Sequence, residues 1–261
     1  MQRSKLRHAA ILTLVRDRGN LTVANIAAAL RVSQETIRRD LRPLAMAGQV
    51  VKLHGAVALP AEDSEAPYER RMRENSEAKR AVARHAARHV SDGDSLMLDT
   101  GTTTSIFARE LLRKRNLTVV TNSSDIARTL ATVNGNKVYM AGGELNGDNG
   151  AAFGVTAVGF VASFNVRHAF ISIGAMDSET GATDSSLDEA EFARMLLKQG
   201  ERRYVLTDSS KFGRRALIKV CEFSDIDVLI TENPPPDDLA AGLLAANVVI
   251  DVAPQRGSVI R

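Results

Sequence analysis

Residues 33–48 read SQETIRRDLRPLAMAG, and this stretch decides the architecture of the N-terminal part of the chain. Ser33 is a good helix N-cap, Glu35 lies in the first turn where a negative charge is favourable, and Gly48 is suited to end the helix. Apolar residues recur at the i, i+4, i+7 spacing of one buried face. These residues are Ile37, Leu41 and Leu44. The pattern predicts a helix whose other faces carry Thr36, Arg38, Arg39 and Arg42.

A shorter helix is predicted just upstream, in LTVANIAAALRV (residues 21–32), with Thr22 as its N-cap. Before it, residues 3–19 have the apolar spacing of a helix with one buried stripe, ended by Gly19. Two short helices joined by a tight turn, the second rich in arginine, are typical of a helix-turn-helix that enters the major groove. Base contacts usually come from the start of the second helix, here Gln34, Glu35 and Thr36.

A hairpin is predicted after the second helix, in VVKLHGAVAL (residues 50–59), where apolar and polar residues partly alternate around a glycine. Such a wing would bring Lys52 and His54 near the DNA backbone, although an ordinary turn histidine is an equal interpretation of His54. We therefore expect double-stranded operator DNA as a partner. The expected DNA-binding residues are Thr22, Ser33, Gln34, Glu35, Thr36, Arg38, Arg39, Arg42, Lys52 and His54.

Charge is distributed unevenly along the 261 residues. The net charge is +3, but residues 1–60 carry +7 and the remainder carries −4. A basic N-terminal segment on a mildly acidic chain suggests contact with a polyanion, while charge alone is also compatible with a solvated basic face.

The order of residues 23–59, VANIAAALRVSQETIRRDLRPLAMAGQVVKLHGAVAL, resembles the winged helix-turn-helix of DeoR-family transcriptional regulators. The resemblance covers nearly all of residues 3–60 and implies that Thr36, Arg38 and Arg39 serve DNA binding. Two departures occur: Pro43 falls inside the predicted recognition helix, where it removes a hydrogen bond, and Gly55-Ala56 replaces the Gly-Gly common in the family's wing.

The expected domain organisation is a DNA-binding domain over residues 1–60, a polar linker over 61–74 and a larger α/β domain over 75–261. Seven short apolar runs alternate with helix-like segments in the third part, which predicts a parallel sheet covered on both faces. The runs are SLML (95–98), LTVV (117–120), KVYM (137–140), AFISI (169–173), RYVL (203–206), DVLI (227–230) and NVVI (247–250).

Polar residues follow five of these runs, at the edge of the sheet where open α/β proteins bind ligands. The stretch DTGTTTS, residues 99–105, is the most suggestive, because it precedes a helix that we expect to start near Thr104. A helix N-terminus offers free N–H groups to a phosphate, and glycine permits close approach. An ordinary strand-to-helix turn with threonine caps is the alternative. Lys211, after another strand, favours the anion site, unless it is simply a surface lysine.

The resemblance to the DeoR family extends through LDTGTTTSIFA, VVTNSSDIA, MAGGELN, ISIGAMD and LTDSSKFGR, so that it covers about residues 3–232. It implies a C-terminal sensor domain similar in fold to ribose-5-phosphate isomerase, with a phosphorylated sugar or polyol as effector. Within the family, QETIRRDL and DSSKFGR are most similar to glycerol-3-phosphate regulon repressors. The implied effector-binding residues are Asp99, Thr100, Gly101, Thr102, Thr103, Thr104, Asn122, Gly142, Gly143, Gly174, Asp177 and Lys211, while Glu189 is a further candidate or only part of a solvated helix face.

Catalysis is not expected. The isomerase family places two aspartates around a Gly-Ala pair and a lysine in the following loop, whereas Ile173 and Met176 flank Gly174-Ala175 here and SETGATDSS has no lysine. The chain is therefore predicted to bind a sugar phosphate without turnover and to repress a carbohydrate or polyol operon. An isomerase-like enzyme with a DNA-binding domain, an activator, and an oligomerisation module with an empty cleft remain as alternatives.

Other classes of site and location are constrained by composition. One cysteine and five scattered histidines give no cluster at zinc-site spacing, and no cofactor is expected. No apolar run is long enough for a membrane span or a signal peptide, so a cytoplasmic protein is expected. The domain over residues 75–261 is expected to bind the effector and to oligomerise, as a dimer or a tetramer, and so to supply two DNA-binding domains to a symmetric or repeated operator.

Overall fold

The computed structural model describes residues 2–19, 21–53, 56–58 and 66–254. The chain forms two compact units, Met1–Arg71, here called the head, and Met72–Arg261, here called the body. The division falls inside helix α4 (Tyr68–Arg73), within the range predicted as a linker.

In its described part before α4, the head consists of three helices and a small antiparallel sheet. Its elements are α1 (Gln2–Arg18), β1 (Leu21–Thr22), α2 (Val23–Leu30), α3 (Gln34–Met46), β2 (Val51–Leu53) and β3 (Ala56–Ala58), with strand order β1-β3-β2. The predicted helix-turn-helix and hairpin are therefore confirmed. The predicted inner face of α3 is also confirmed, because Ile37, Leu41 and Leu44 are buried in a core with residues of α1 and α2.

The body is built on a seven-stranded sheet in which every strand pair is parallel. Its strands, in the order β13-β12-β10-β7-β4-β5-β6, are β4 (Ser95–Leu98), β5 (Thr118–Thr121), β6 (Lys137–Met140), β7 (Val166–Ser172), β10 (Gly200–Leu206), β12 (Val228–Thr231) and β13 (Val249–Val252). All seven apolar runs of the sequence thus lie on or overlap a strand of this sheet.

Helices cover both faces of the sheet. On β4, Leu96 and Leu98 pack into one hydrophobic cluster and Met97 into the other, as expected when neighbouring side chains point to opposite faces. One face is covered by α5 (Ser76–Ala86), α6 (Thr102–Glu110) and α7 (Ser124–Leu130), and the other by α8 (Val155–Val161), α9 (Leu187–Gln199) and α10 (Asp237–Ala245).

A second, antiparallel sheet was not predicted from the sequence. It contains β8 (Ala175–Asp177), β9 (Gly181–Asp184) and β11 (Ile218–Cys221), in the order β11-β9-β8. Strands of three or four residues carry too little alternation to be separated from loops. The predicted start of α6 is also corrected, since the helix begins at Thr102 with Gly101 as its N-cap. No helix within the described ranges has the length and apolar character needed to cross a membrane.

Candidate functional site

The outer face of α3 carries arginines that are exposed to solvent. Arg38 lies 3.5 Å from a carboxylate oxygen of Glu35 and 3.4 Å from the side-chain oxygen of Gln34, both on the same helix. Arg39 and Arg42 are exposed, and no hydrogen bond or ion pair of theirs occurs among the described residues. The guanidinium groups of Arg39 and Arg42 can therefore bind phosphates or guanine edges without first breaking contacts within the described part of the protein.

Two of the predicted DNA-contacting side chains act as helix caps in the structure. The Oγ1 atom of Thr22 accepts a hydrogen bond from the Asn25 amide at 3.1 Å, and Ser33 Oγ accepts one from the Thr36 amide at 3.1 Å. The Oγ atom of Ser33 also lies 2.8 Å from Oγ1 of Thr36. These bonds fix where α2 and α3 begin, and thereby orient the exposed face of α3.

Asp40 has a structural role that the sequence does not predict, although it lies within TIRRDL. It is buried, and its carboxylate forms an ion pair with Arg7 and lies 3.4 Å from Nε2 of His8, both on α1. The hydrogen bond from Arg7 holds the pKa of Asp40 below its ordinary value. These contacts connect the recognition helix α3 to α1. The sequence TIRRDL does not indicate that Asp40, rather than one of the neighbouring arginines, is the charged residue that is buried.

The wing strands confirm the predicted hairpin, with Val51 opposite Ala58 and Leu53 opposite Ala56. Lys52 belongs to β2, whereas His54 lies outside the described residues. Pro43 lies inside α3, which continues to Met46 despite the missing amide proton.

The body has its switch point between β4 and β7. From β4 the chain runs outward through β5 and β6, and then returns to β7 on the other side of β4. Loops at the carboxyl ends of two such strands diverge and leave a crevice between them. The stretch Asp99–Gly101 follows β4, and Ser172 ends β7, so both meet at this crevice.

The close approach of β4 and β7 requires glycine at position 101. A Cβ atom there would lie 1.8 Å from Oγ and 2.9 Å from Cβ of Ser172. The amide of Ser172 donates a 2.7 Å hydrogen bond to Asp99 Oδ2, and its hydroxyl lies 3.3 Å from the same oxygen. Asp99 therefore joins the two strand ends.

Burial raises the pKa of Asp99 to about 7, against the opposing hydrogen bonds from Ser172 and Thr104, and the charge of Asp184 adds to the rise. A carboxyl with this pKa is protonated in a large fraction of molecules near neutral pH. It can then donate as well as accept a hydrogen bond.

The threonines of DTGTTTS are buried and organise the loop. Thr104 Oγ1 donates to the carbonyls of Asp99 and Gly101, at 3.2 and 3.1 Å. Thr100 donates to Asn122 Oδ1 at 2.7 Å, and Asn122 Nδ2 donates to the carbonyl of Ala152 at 2.9 Å. Asn122 thus anchors the loop. Thr102 and Thr103 form the first turn of α6, whose glycine N-cap provides no side-chain hydrogen bond.

A small, narrow cavity opens at this crevice. Its lining residues are Asp99, Thr100, Phe153, Ser172, Asp184, Glu189, Phe192 and Ala193. Asp184 was not predicted as a site residue. Gly174 allows it to approach, because a Cβ at position 174 would lie 3.2 Å from Cα of Asp184. Glu189, on α9, lines the cavity and is therefore more than part of a solvated helix face. Its carboxylate accepts a 2.9 Å hydrogen bond from Asn149.

Gly142 and Gly143 follow β6 and lie at the surface. The next residues line a second, larger and more open cavity, bounded by Glu144–Gly147, Phe153, Gly154 and Asp188. Because Phe153 lines both cavities, the loop that begins at Gly142 lies beside the crevice.

The structure does not bring Asp177 into either cavity. Its carboxylate binds Arg215 at 3.1 Å and accepts the amides of Glu179 and Thr180 in the β8–β9 turn. The hydrogen bond from Arg215 lowers the pKa of Asp177 to about 2. Lys211 precedes Phe212, which forms a parallel bridge with Met176, so its segment lies beside β8.

Comparison with known families agrees with this division of the chain. Residues 7–63 match the DeoR-like helix-turn-helix domain, and residues 74–233 match the DeoR C terminal sensor domain. The chain belongs to the DeoR family. It is accordingly a DNA-binding transcriptional regulator with a C-terminal sensor domain, as the resemblance of its motifs predicted.

Similar proteins include repressors. The glycerol-3-phosphate regulon repressor of Escherichia coli (strain K12) is 31% identical over 88% of this chain and 91% of its own length. That of Haemophilus influenzae is 33% identical over 89% of this chain and 91% of its own. Among solved structures, ribose-5-phosphate isomerase A of Methanocaldococcus jannaschii matches with a TM-score of 0.39 and 18% identity, over 53% of this chain and 55% of that chain.

Proposed function

We propose that this DeoR-family member is a cytoplasmic repressor of a carbohydrate or polyol operon, released from DNA by a phosphorylated sugar or polyol. One observation carries the proposal: a single chain combines an arginine-bearing recognition helix with a cavity at the switch point of a parallel sheet. A bound effector that favours a state of weaker DNA affinity would change operator binding roughly 5- to 150-fold, for a coupling of about 1–3 kcal/mol.

The phosphate is assigned to the start of α6. The first amides of a helix lack intrahelical partners, and the N-cap Gly101 offers no side chain to satisfy them. The positive end of the helix dipole favours an anion at this place. Lys211 lines neither of the two cavities described above. It is proposed to add its positive charge from the loop after β10 when the effector is bound.

The opposite wall of the cavity is assigned to the hydroxyl groups of the effector. Asp184 and Glu189 come from β9 and α9, and carboxylates accept hydrogen bonds from hydroxyls. Among the described residues that line this cavity, none is a lysine, arginine or histidine. A carboxylate at the other end of the phosphorylated ligand would therefore meet the negative charges of Asp184 and Glu189. The effector is thus expected to end in an alcohol or aldehyde rather than in an acid.

Absence of turnover is part of the proposal. Ile173 and Met176 flank Gly174-Ala175 where the isomerase pattern has aspartates, and the named relatives are repressors. The carboxyls of the cavity are proposed to bind hydroxyl groups rather than to remove a carbon-bound proton.

The test is a thermal-shift screen of the full-length protein with matched ligand pairs: glycerol 3-phosphate against 3-phosphoglycerate, and glucose 6-phosphate against 6-phosphogluconate. At 100 times its dissociation constant, a specific ligand should add about 2.7 kcal/mol to the free energy of unfolding. We expect one of the alcohol or aldehyde phosphates to stabilise the protein and weaken its binding to operator DNA, and its acid partner to do neither.

Two variants sharpen the screen. Lys211→Ala should keep operator binding and lose the response to the ligand, whereas Asp184→Asn should reduce the discrimination against the acid. Equal binding of both members of a pair would overturn the assignment of Asp184 and Glu189. Failure of every phosphorylated ligand to bind would contradict the sensor itself.

A further inference from the structure

A second group of polar side chains lies away from the crevice, where the end of α5 faces the edge strand β13. His85 belongs to the last turn of α5, His89 ends the 3-10 turn that follows, and Asp251 lies on β13. The Nε2 atom of His85 is 2.6 Å from Asp251 Oδ1, and the Nε2 atom of His89 is 2.7 Å from Asp251 Oδ2.

We propose that His85, His89 and Asp251 form a binding site for a divalent transition-metal ion of the zinc class. The ligand atoms of the three side chains all lie within 4.8 Å of one another. Two imidazole nitrogens and one carboxylate oxygen are a ligand set that suits zinc, nickel and copper. This site is independent of the effector site and does not rest on its assignment.

The spacing of the two histidines explains the convergence. Residues four apart along a helical stretch lie on the same face, so both imidazoles point toward β13. In a tetrahedral zinc site the metal–nitrogen bonds are 2.0–2.1 Å, which sets neighbouring ligand atoms about 3.4 Å apart. The three groups are close enough that small side-chain rotations would place an ion between them.

Access and coordination number also fit an ion. The side chains of His85, His89 and Asp251 are 13%, 23% and 26% exposed, so the group is sheltered but open to solvent. A water molecule can then supply the fourth ligand of a tetrahedral site. The His89 ring lies against the Tyr204 ring, with centroids 5.3 Å apart, which restricts its rotation.

The surroundings also indicate how tightly the ion is held. The Nδ1 atom of His85 is buried and has no hydrogen-bond partner among the described residues. Metal-binding histidines usually donate this second ring nitrogen to a carbonyl or carboxylate, and loss of such a partner weakens metal affinity about 10- to 100-fold. We therefore expect a reversible site, in which the ion strengthens the existing connection between the end of α5 and β13.

The sequence shows no histidine cluster at zinc-site spacing, and the group proposed here is compatible with that, because it forms only in the folded chain. Zinc-site patterns contain ligands that lie close together in the sequence. Asp251, by contrast, lies 162 residues after His89 and is brought to it by the fold. The remaining histidines that the structure describes, His8 and His168, lie beside other aspartates, Asp40 and Asp94.

The experiment is isothermal titration of the metal-stripped full-length protein with Zn²⁺ and with Ni²⁺, together with thermal unfolding in the same solutions. We expect one ion per chain and a rise in the unfolding temperature. Asp251→Asn and His89→Gln should each weaken binding by at least about tenfold and abolish the rise. Asp148→Asn, an exposed aspartate elsewhere in the body, is the matched control and should bind like the parent.

Circular dichroism establishes that each variant is folded, and X-ray absorption of the zinc complex identifies its ligands. Absence of saturable binding in the parent would overturn the site, as would unchanged affinity in both folded variants. A spectrum without imidazole ligands would have the same consequence.

Discussion

At the scale of single residues, Asp99 and Asp177 show how location sets the behaviour of the same side chain. Asp99 is buried between two strand ends, and its pKa is raised to about 7. Asp177 closes a turn beside Arg215, and its pKa is lowered to about 2. The sequence placed both among the effector-binding candidates, because each follows a strand in a motif of the family.

The two carboxyls should give opposite pH dependences. Between about pH 4 and 7, the folded chain holds a proton on Asp99 that the unfolded chain has released, so stability falls as pH rises through this window. The shift corresponds to a cost of the order of 4 kcal/mol above pH 7. Asp99→Asn should therefore gain stability relative to the parent as pH rises, measured by urea unfolding from pH 5 to 8.

Asp177→Asn is the matched control for that series. The contribution of Asp177 to stability is fully present above about pH 4 and is lost only as pH falls toward 2. The Asp177→Asn variant should therefore differ from the parent by a constant amount between pH 5 and 8. A parallel pH profile for Asp99→Asn and the parent would show that Asp99 is ionised throughout the series.

Site residues were predictable where they lie in a contiguous motif. The caps Thr22 and Ser33 and the exposed Arg39 follow from periodicity and capping preferences. Asp40 and Asp184 were missed, because the partners that give them a role lie 33 residues away on α1 and across a sheet that was not predicted. No local pattern reports a contact of that kind.

At the scale of elements, the crevice depends on how closely the loop after β4 approaches the end of β7. Gly101 adopts an extended backbone, with φ −162°, which any residue can adopt. Its requirement for glycine is therefore one of space. The seven parallel strands were predictable as apolar runs, but this contact between the ends of β4 and β7 is a consequence of strand order.

Gly101→Ala should destabilise the body by about 1–3 kcal/mol, the usual cost of overpacking, because the new methyl group overlaps Ser172. Urea unfolding measures the change. The added mutation Ser172→Gly should recover part of the loss, which a double-mutant cycle would detect. Gly159→Ala is the control, since a Cβ there meets nothing within 4 Å. Equal stabilities of Gly101→Ala and Gly159→Ala would contradict the close approach.

At the scale of the whole molecule, positive charge is concentrated in the N-terminal residues, which lie within the head. Residues 1–60 carry +7 and the remainder −4. Affinity for DNA should therefore depend steeply on salt, since each phosphate contact releases counterions.

Arg39→Ala should weaken operator binding by about 1–3 kcal/mol. Because the variant makes one fewer phosphate contact, the slope of log affinity against log salt should also fall by about 1. A weaker affinity with an unchanged slope would instead assign Arg39 to a base. Gel-shift titrations at several salt concentrations measure both quantities. Arg16→Ala, an exposed arginine of α1, is the control. Unchanged affinity for Arg39→Ala would remove α3 from the DNA interface.

The order of the strands has a consequence for synthesis. The head is complete at Arg71, whereas the sheet that carries the cavity needs β13, which ends at Val252. At about 5–20 residues per second, the ribosome finishes the head roughly ten to forty seconds before the sensing unit. A chain released within that interval would contain the residues of the DNA-binding unit without those of the completed sensing unit, so full synthesis is what joins the two functions in one molecule.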